Sequence, residues 1–363
     1  MPEKPSQNQT RLRLRDYGIA PGILPTGAIN AITDVQDVLV GHFTLIQGED
    51  IRTGATSILP HGGNLFQDKV PAGVFAGNGY GKLTGSTQIQ ELGEIETPIV
   101  LTNTLATPRA ADAILDWTLN QPGNESATSV NPVVGETNDS YLNNIRRRVL
   151  SSEMILQSIH SASSGLVKEG TIGSGTGTMA FGWKGGIGTS SRRLPDSLGG
   201  FTVGVLVQSN FAGVLQILGI SLGKDLDRCL MGIDRNQPKE HGSIMIVIAT
   251  DAPLSDRNLT RLARRGLFGM ARTGASFANG SGDYAIAFST HSGVRRTPER
   301  RRNLTSYIEL PNDGMSPLFQ AALEATEEAI YNSLFTATTV KGYRGTAEVL
   351  PVERVIELLI LRD

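Results

Sequence analysis

The chain has 363 residues and a mass of 38.7 kDa, enough for two domains or one large composite one at about 150 residues per domain. Its 33 Lys+Arg against 35 Asp+Glu leave a net charge of −2 and a pI of about 6.2, so the basic field that would attract nucleic acid or an anionic membrane surface is absent. The lone cysteine, Cys229, excludes an intrachain disulfide framework and any multi-cysteine zinc site, and points to a reducing, cytoplasmic home.

In chain order, "MPEKPSQNQTRLRLRDYG" is polar with three spaced arginines and no apolar signal segment; it reads as a flexible N-terminal arm over residues 1–16. No later apolar run approaches the roughly 18 residues that span a bilayer. Residues 17–363 read as one composite domain without an internal repeat or a Pro/Ser linker. Short runs rich in β-branched residues, "DVLVGHF", "TPIVLTN", "FTVGVLVQ", "SIMIVIAT", "DYAIAFST" and "TAEVLPV", predict strands. Because several are apolar almost continuously, they call for a second sheet on one face and helices on the other. Helices are predicted from Thr107-Pro108 to the stop at Pro122-Gly123, across "YLNNIRRRVLSSEMILQSIHSA", from a cap at Ser255, and from Ser316-Pro317. Forty-two glycines cluster in "AGNGYGKLTGS", "GSGTGTMAFGWKGGIGT" and "GASFANGSGD", which implies tight turns and close backbone approach.

Ser243 stands between Gly242 and the apolar run Ile244 to Ala249. As a bare dipeptide, Gly-Ser is an ordinary turn before a strand. A sharper alternative is a self-cleavage bond, after which Ser243 becomes a new N-terminus. A serine hydroxyl needs a base to take its proton, and a free α-amine, with an ordinary pKa of about 7.7 to 8.0, can be that base within the same residue. None of the five histidines is then required.

Six ordered blocks decide between these readings: "TGATSILPHGGNLFQDKVPAGVFAGNGYGKLTG", "NPVVGETNDSYLNN", "GSGTGTMAFGWKGGIGTSSR", "VLVQSNFAG", "HGSIMIVIATDAPL" and "GSGDYAIAFST". Together they resemble the autoproteolytic N-terminal-serine aminopeptidases, the group of L-aminopeptidase/D-amidase/D-esterase and the β-peptidyl aminopeptidases. The resemblance implies an α+β fold, a four-layer αββα sandwich of the N-terminal-nucleophile hydrolase type. It also implies cleavage between Gly242 and Ser243 into chains 1–242 and 243–363, no cofactor or metal, and a homo-oligomer, commonly a tetramer of two-chain protomers. By the same resemblance Ser243 is the nucleophile, while Ser281 and Asp283 hold it and its amine, Asp283 standing where glutamate is more usual. Asn210 stabilises the oxyanion, Tyr141 points a hydroxyl at the same centre, and Glu136 receives the substrate's free amine, a task Asp139 could share.

Two rival motifs fail on their own terms. "GTGTMA" fits G-x-G-x-x-G/A, yet Gly182, Gly185 and Gly186 would break the helix that a dinucleotide site requires. "GYGKLTG" has leucine where a phosphate loop needs Ser or Thr. The expected function is a self-processed aminopeptidase or amidase acting on small peptides, amides or esters with a free amine. The alternatives are an acyl transferase of the ornithine acetyltransferase type, where threonine is the usual nucleophile, and a non-catalytic small-molecule binding protein.

Overall fold

The computed structural model describes residues 11–226 and 242–361, so Cys229 and His241 lie outside the described residues. Two principal sheets are stacked among these residues. One has the order Leu39–Gln47, Ile51–Leu59, Ile99–Asn103, Val133–Thr137, Leu83–Thr84. The other runs Gly186–Arg193, Thr202–Asn210, Ser243–Thr250, Gly282–Ser289, Val70–Gly79, Glu94–Ile95. Neighbours are antiparallel except at Ile99–Asn103 beside Val133–Thr137 and Ser243–Thr250 beside Gly282–Ser289, which are parallel.

The Ser243 strand shows why the chain needs four layers. Its side chains alternate between faces. Ile244, Ile246 and Ile248 pack with the helices Asp256–Arg272, Met315–Phe335 and Val352–Ile360, whereas Met245, Val247 and Ala249 pack with Ile58, Ile99, Leu101 and Val133 of the other sheet. Both faces are therefore apolar, and the six-residue run is buried throughout. On the far face of the first sheet, Ala55, Val100 and Val134 meet Ala110, Ala113 and Ile114 of helix Thr107–Leu119 and Ile155 and Ile159 of helix Ser152–His160. The resulting order, helices, sheet, sheet, helices, is the expected α+β sandwich.

Some elements depart from expectation. The helix predicted over "YLNNIRRRVLSSEMILQSIHSA" forms only at Ser152–His160, where the Ser151 side chain accepts the Met154 N–H as an N-cap. Upstream, Asn144 donates to Asp50 and Asn143 to Asp139, and Arg148 is left-handed at φ 48°; asparagines bonded in this way compete with a continuous helix. "TAEVLPV" supplies only the short strand Gly345–Ala347, and after Pro351 the chain turns into the helix Val352–Ile360, with Val352, Val355, Leu358 and Leu359 buried on one face. Within the region read as a loose arm, residues 11–16 are docked. Leu14 is fully buried, Arg13 pairs with Glu169 at 2.5 Å, and Arg15 pairs with Glu328 at 2.6 Å. The spaced arginines are thus held by buried carboxylates, Glu328 also pairing with the fully buried Arg192.

The glycine-rich block near residues 173–188 packs backbone on backbone. A Cβ at Gly188 would collide with the Ala329 carbonyl oxygen, so glycine lets the helix Met315–Phe335 lie directly on this strand. No described helix is long and apolar enough to cross a membrane.

Candidate active site

Ser243 opens the central strand of the second sheet, 5% exposed, and it pairs with Asn210 on one side and Gly282 on the other. Its Oγ donates to the Gly242 carbonyl oxygen at 2.5 Å and accepts the Gly282 N–H at 3.2 Å. The hydroxyl oxygen therefore lies beside the carbonyl of the very bond that precedes it. Gly242 is pressed against the neighbouring strand end, where an added Cβ would lie 2.8 Å from Phe211 Cα and 3.2 Å from the Asn210 oxygen. Close approach, not backbone strain, is what requires glycine here.

Ser281 and Asp283 flank Gly282, the donor to Ser243. Ser281 Oγ donates to Asp283 Oδ1 at 2.5 Å, and Asn78 holds the turn by donating to the Ala278 and Ser281 carbonyls at 2.7 Å each. Asp283 Oδ2 is buried without a hydrogen-bond partner among the described residues. Burial pushes the Asp283 carboxyl up to about 6, against the opposing hydrogen bond from Ser281. A cation formed nearby would find an unpaired carboxylate oxygen.

Asn210, cross-strand from Ser243, has its side chain fixed at both ends: Oδ1 accepts the Met179 N–H at 2.9 Å and Nδ2 donates to the Asn138 carbonyl at 3.2 Å. A primary amide carries two N–H groups, so one such bond still leaves donor capacity. The Tyr141 hydroxyl lies against Gly345. Its ring packs with Met179 in a small cluster with Leu142, Val340 and Ala347, and its backbone oxygen accepts the Arg344 N–H at 2.9 Å.

Glu136 is 2% exposed at the end of Val133–Thr137. Its Oε1 accepts the Lys82 backbone N–H at 3.0 Å, and its Oε2 accepts a short hydrogen bond from Thr104 Oγ1. The path to the serine is short. A Cβ on Gly81 would touch both Glu136 Oε1 and Gly282 Cα at 3.2 Å, and Gly282 is the residue bonded to Ser243. Asp139 is buried and bonded by Asn143 at 3.0 Å; burial pushes its carboxyl up to about 7, with the Glu136 charge adding in the same direction. The structure thus gathers Ser243, Asn210, Ser281, Asp283 and Glu136 around one strand end; Asp139 feels the Glu136 charge, and Tyr141 is placed against Gly345.

Several participants escaped the sequence. Thr104, Gly81 and Lys82 surround Glu136, although neither the glycine-rich block that ends in "GYGKLTG" nor "TPIVLTN" before Thr104 marks them individually. Lys184, fully buried, donates to the Gly175 and Gly185 carbonyls at 2.8 and 2.7 Å; burial lowers its ammonium to about 7. It pins the hairpin that carries Met179. Only its position inside an apolar, glycine-rich block could have marked it.

Residues 30–348 match the model of peptidase family S58. A curated relative, the β-peptidyl aminopeptidase BapA of Sphingosinicella microcystinivorans, is 38% identical over 93% of this chain and 89% of its own. Among solved structures, a protein of Pyrococcus horikoshii is 43% identical with a TM-score of 0.88, covering 97% of this chain and 99% of the other. The L-aminopeptidase D-Ala-esterase/amidase of Ochrobactrum anthropi, described as a variant of the Ntn hydrolase fold and a prototype serine aminopeptidase, is 34% identical with a TM-score of 0.87, covering 98% and 99%.

Proposed function

The chain belongs to peptidase family S58 and is a serine aminopeptidase, and from that premise we propose that Ser243 is its nucleophile, released by self-cleavage after Gly242. The observation that carries this reading is the buried Ser243 hydroxyl lying 2.5 Å from the Gly242 carbonyl oxygen. In the precursor, Ser243 Oγ attacks the Gly242 carbonyl carbon, the peptide nitrogen leaves as an amine, and water hydrolyses the resulting ester. The freed α-amine of Ser243 then accepts the hydroxyl proton when Oγ attacks a substrate carbonyl. An acyl-enzyme forms, the leaving amine or alcohol departs, and water releases the acid.

Each neighbour has a task in this scheme. Asn210 donates to the developing oxyanion, with Tyr141 on the same side, and Ser281 and Asp283 hold the new ammonium or amine. Glu136 pairs with the substrate's own ammonium, which separates a chain end from an internal bond. Substrates are peptides, amides or esters with a free amine, as the relatives' names suggest, D-configured amides and β-linked residues included. A cytoplasmic tetramer of two-chain protomers completes the proposal. Free-amine p-nitroanilides should be hydrolysed and their N-acetylated forms left intact; equal turnover of both would contradict an aminopeptidase. Added amine acceptors should not divert the product, as they would in an acyl transferase.

Two variants examine the parts of the scheme separately. Gly242→Ala places a Cβ 2.8 Å from Phe211 Cα, and overpacking of this kind costs about 1 to 3 kcal/mol, so self-cleavage should slow by about 10-fold, read as residual full-length chain on a denaturing gel. An unchanged rate would contradict the tight approach. For Asp283→Asn, the sign follows from charge. The carboxylate favours the Ser243 ammonium and raises its pKa, so its removal lowers that pKa and moves the acidic limb of the rate profile down by about 1 to 3 pH units in cleaved enzyme. A stationary limb would remove Asp283 from control of the base.

A further inference from the structure

Glu136 already has a cation beside it. Lys82 Nζ lies 3.9 Å from Glu136 Oε1, and the lysine side chain is 55% exposed while the glutamate is 2% exposed. The placement is fixed by the backbone, because Lys82 N–H donates to the same oxygen at 3.0 Å and the adjoining Leu83–Thr84 pairs with Gly135 and Val134 on the Glu136 strand. A substrate ammonium seated on Glu136 would therefore share that carboxylate with the Lys82 ammonium. Like charges at such range repel, so a substrate with a neutral side chain must drive Lys82 outward into water. A substrate with a carboxylate on the carbon that bears its amine meets the opposite situation, since its charges then alternate with those of Glu136 and Lys82.

Resting on the reading that Glu136 takes the substrate's amine, we propose that Lys82 recognises a carboxylate next to that amine and that β-linked aspartyl amides and peptides are a substrate class of this enzyme. A β-aspartyl group is a β-amino acyl group whose amine-bearing carbon also carries a free carboxylate, so the amine can reach Glu136, the carboxylate Lys82, and the β-carbonyl Ser243. The reaction is ordinary hydrolysis: Ser243 Oγ bonds to the β-carbonyl carbon, the amide nitrogen leaves with a proton as the amine, and water frees aspartate. Buried Glu136 and half-exposed Lys82 divide the work, the first selecting any free amine and the second sorting among them by their neighbouring charge.

The test compares β-aspartyl p-nitroanilide, with free α-amine and α-carboxylate, against 3-aminobutyryl p-nitroanilide, which has a methyl group in place of the carboxylate. Wild-type enzyme should prefer the β-aspartyl substrate in kcat/KM. Lys82→Met should lose about 10-fold or more on it while gaining on the neutral one, and Lys82→Arg should restore the preference for charge. If the wild type fails to cleave the β-aspartyl substrate, or if Lys82→Met shifts both substrates by the same factor, the proposal is overturned. Glu136→Gln separates this failure from that of the underlying reading. A raised KM for both substrates with indifference to Lys82→Met sinks only the lysine's role, whereas an unchanged KM for both sinks the amine site itself.

Discussion

Ser243→Ala should leave the chain as one 38.7 kDa polypeptide and abolish turnover, a loss on the order of 10⁶-fold as for other serine nucleophiles. The two defects should share one cause, since in the proposed scheme the same oxygen attacks Gly242 in the precursor and the substrate afterwards. Alanine removes that oxygen and little else. The strand Ser243–Thr250 keeps its pairing with Thr202–Asn210 and Gly282–Ser289 through backbone hydrogen bonds that the substitution does not touch. Circular dichroism and oligomer size should therefore match those of a slowly processed precursor. A cleaved Ser243→Ala protein would place the nucleophile elsewhere.

Glu136→Gln should raise KM for free-amine substrates and lower kcat/KM by about 30-fold or more, because the substrate ammonium then loses the carboxylate proposed to pair with it. Glutamine keeps the shape: its carbonyl oxygen can accept the Lys82 N–H in place of Oε1, and its NH2 group can donate to a rotated Thr104 hydroxyl in place of Oε2, so the strand end should hold. Self-cleavage should proceed almost unchanged, for the precursor presents no substrate amine. Steady-state kinetics on L-α, D-α and β³ p-nitroanilides measures the effect. If KM stays constant on all three, amine recognition lies outside Glu136.

The path from sequence to site was uneven for physical reasons. The strand at Ser243 was readable to the residue, since a run buried on both faces cannot be mistaken for an amphipathic helix of similar length. The strands Ile51–Leu59, Val70–Gly79, Val133–Thr137 and Gly186–Arg193 gave no such signal. Gly186–Arg193, "GIGTSSRR", is built from small and polar residues because other backbone lies against it, at Gly186 from Gly170 and at Gly188 from Ala329. Strand propensity is a statement about side chains on a half-buried surface, and here backbone contact replaces side-chain packing.

The site followed a similar division. Ser243, Asn210, Ser281, Asp283 and Glu136 could be named through the ordered blocks, and they share one strand end in the fold. Lys82, Thr104 and Lys184 could not, since a lysine in a glycine-rich loop carries no mark of the carboxylate or the carbonyls that it meets. The N-terminal arginines misled in the opposite direction. Arg13 and Arg15 looked solvated until their partners, Glu169 and Glu328, arrived from distant parts of the chain.

The most direct measurement is mass spectrometry with N-terminal sequencing of active wild-type enzyme. Two polypeptides that copurify are expected, of about 26 and about 13 kDa by residue share, the smaller beginning Ser-Ile-Met-Ile from Ser243. Fully active enzyme consisting only of the intact 38.7 kDa chain, or a new N-terminus at any residue other than Ser243, would contradict it.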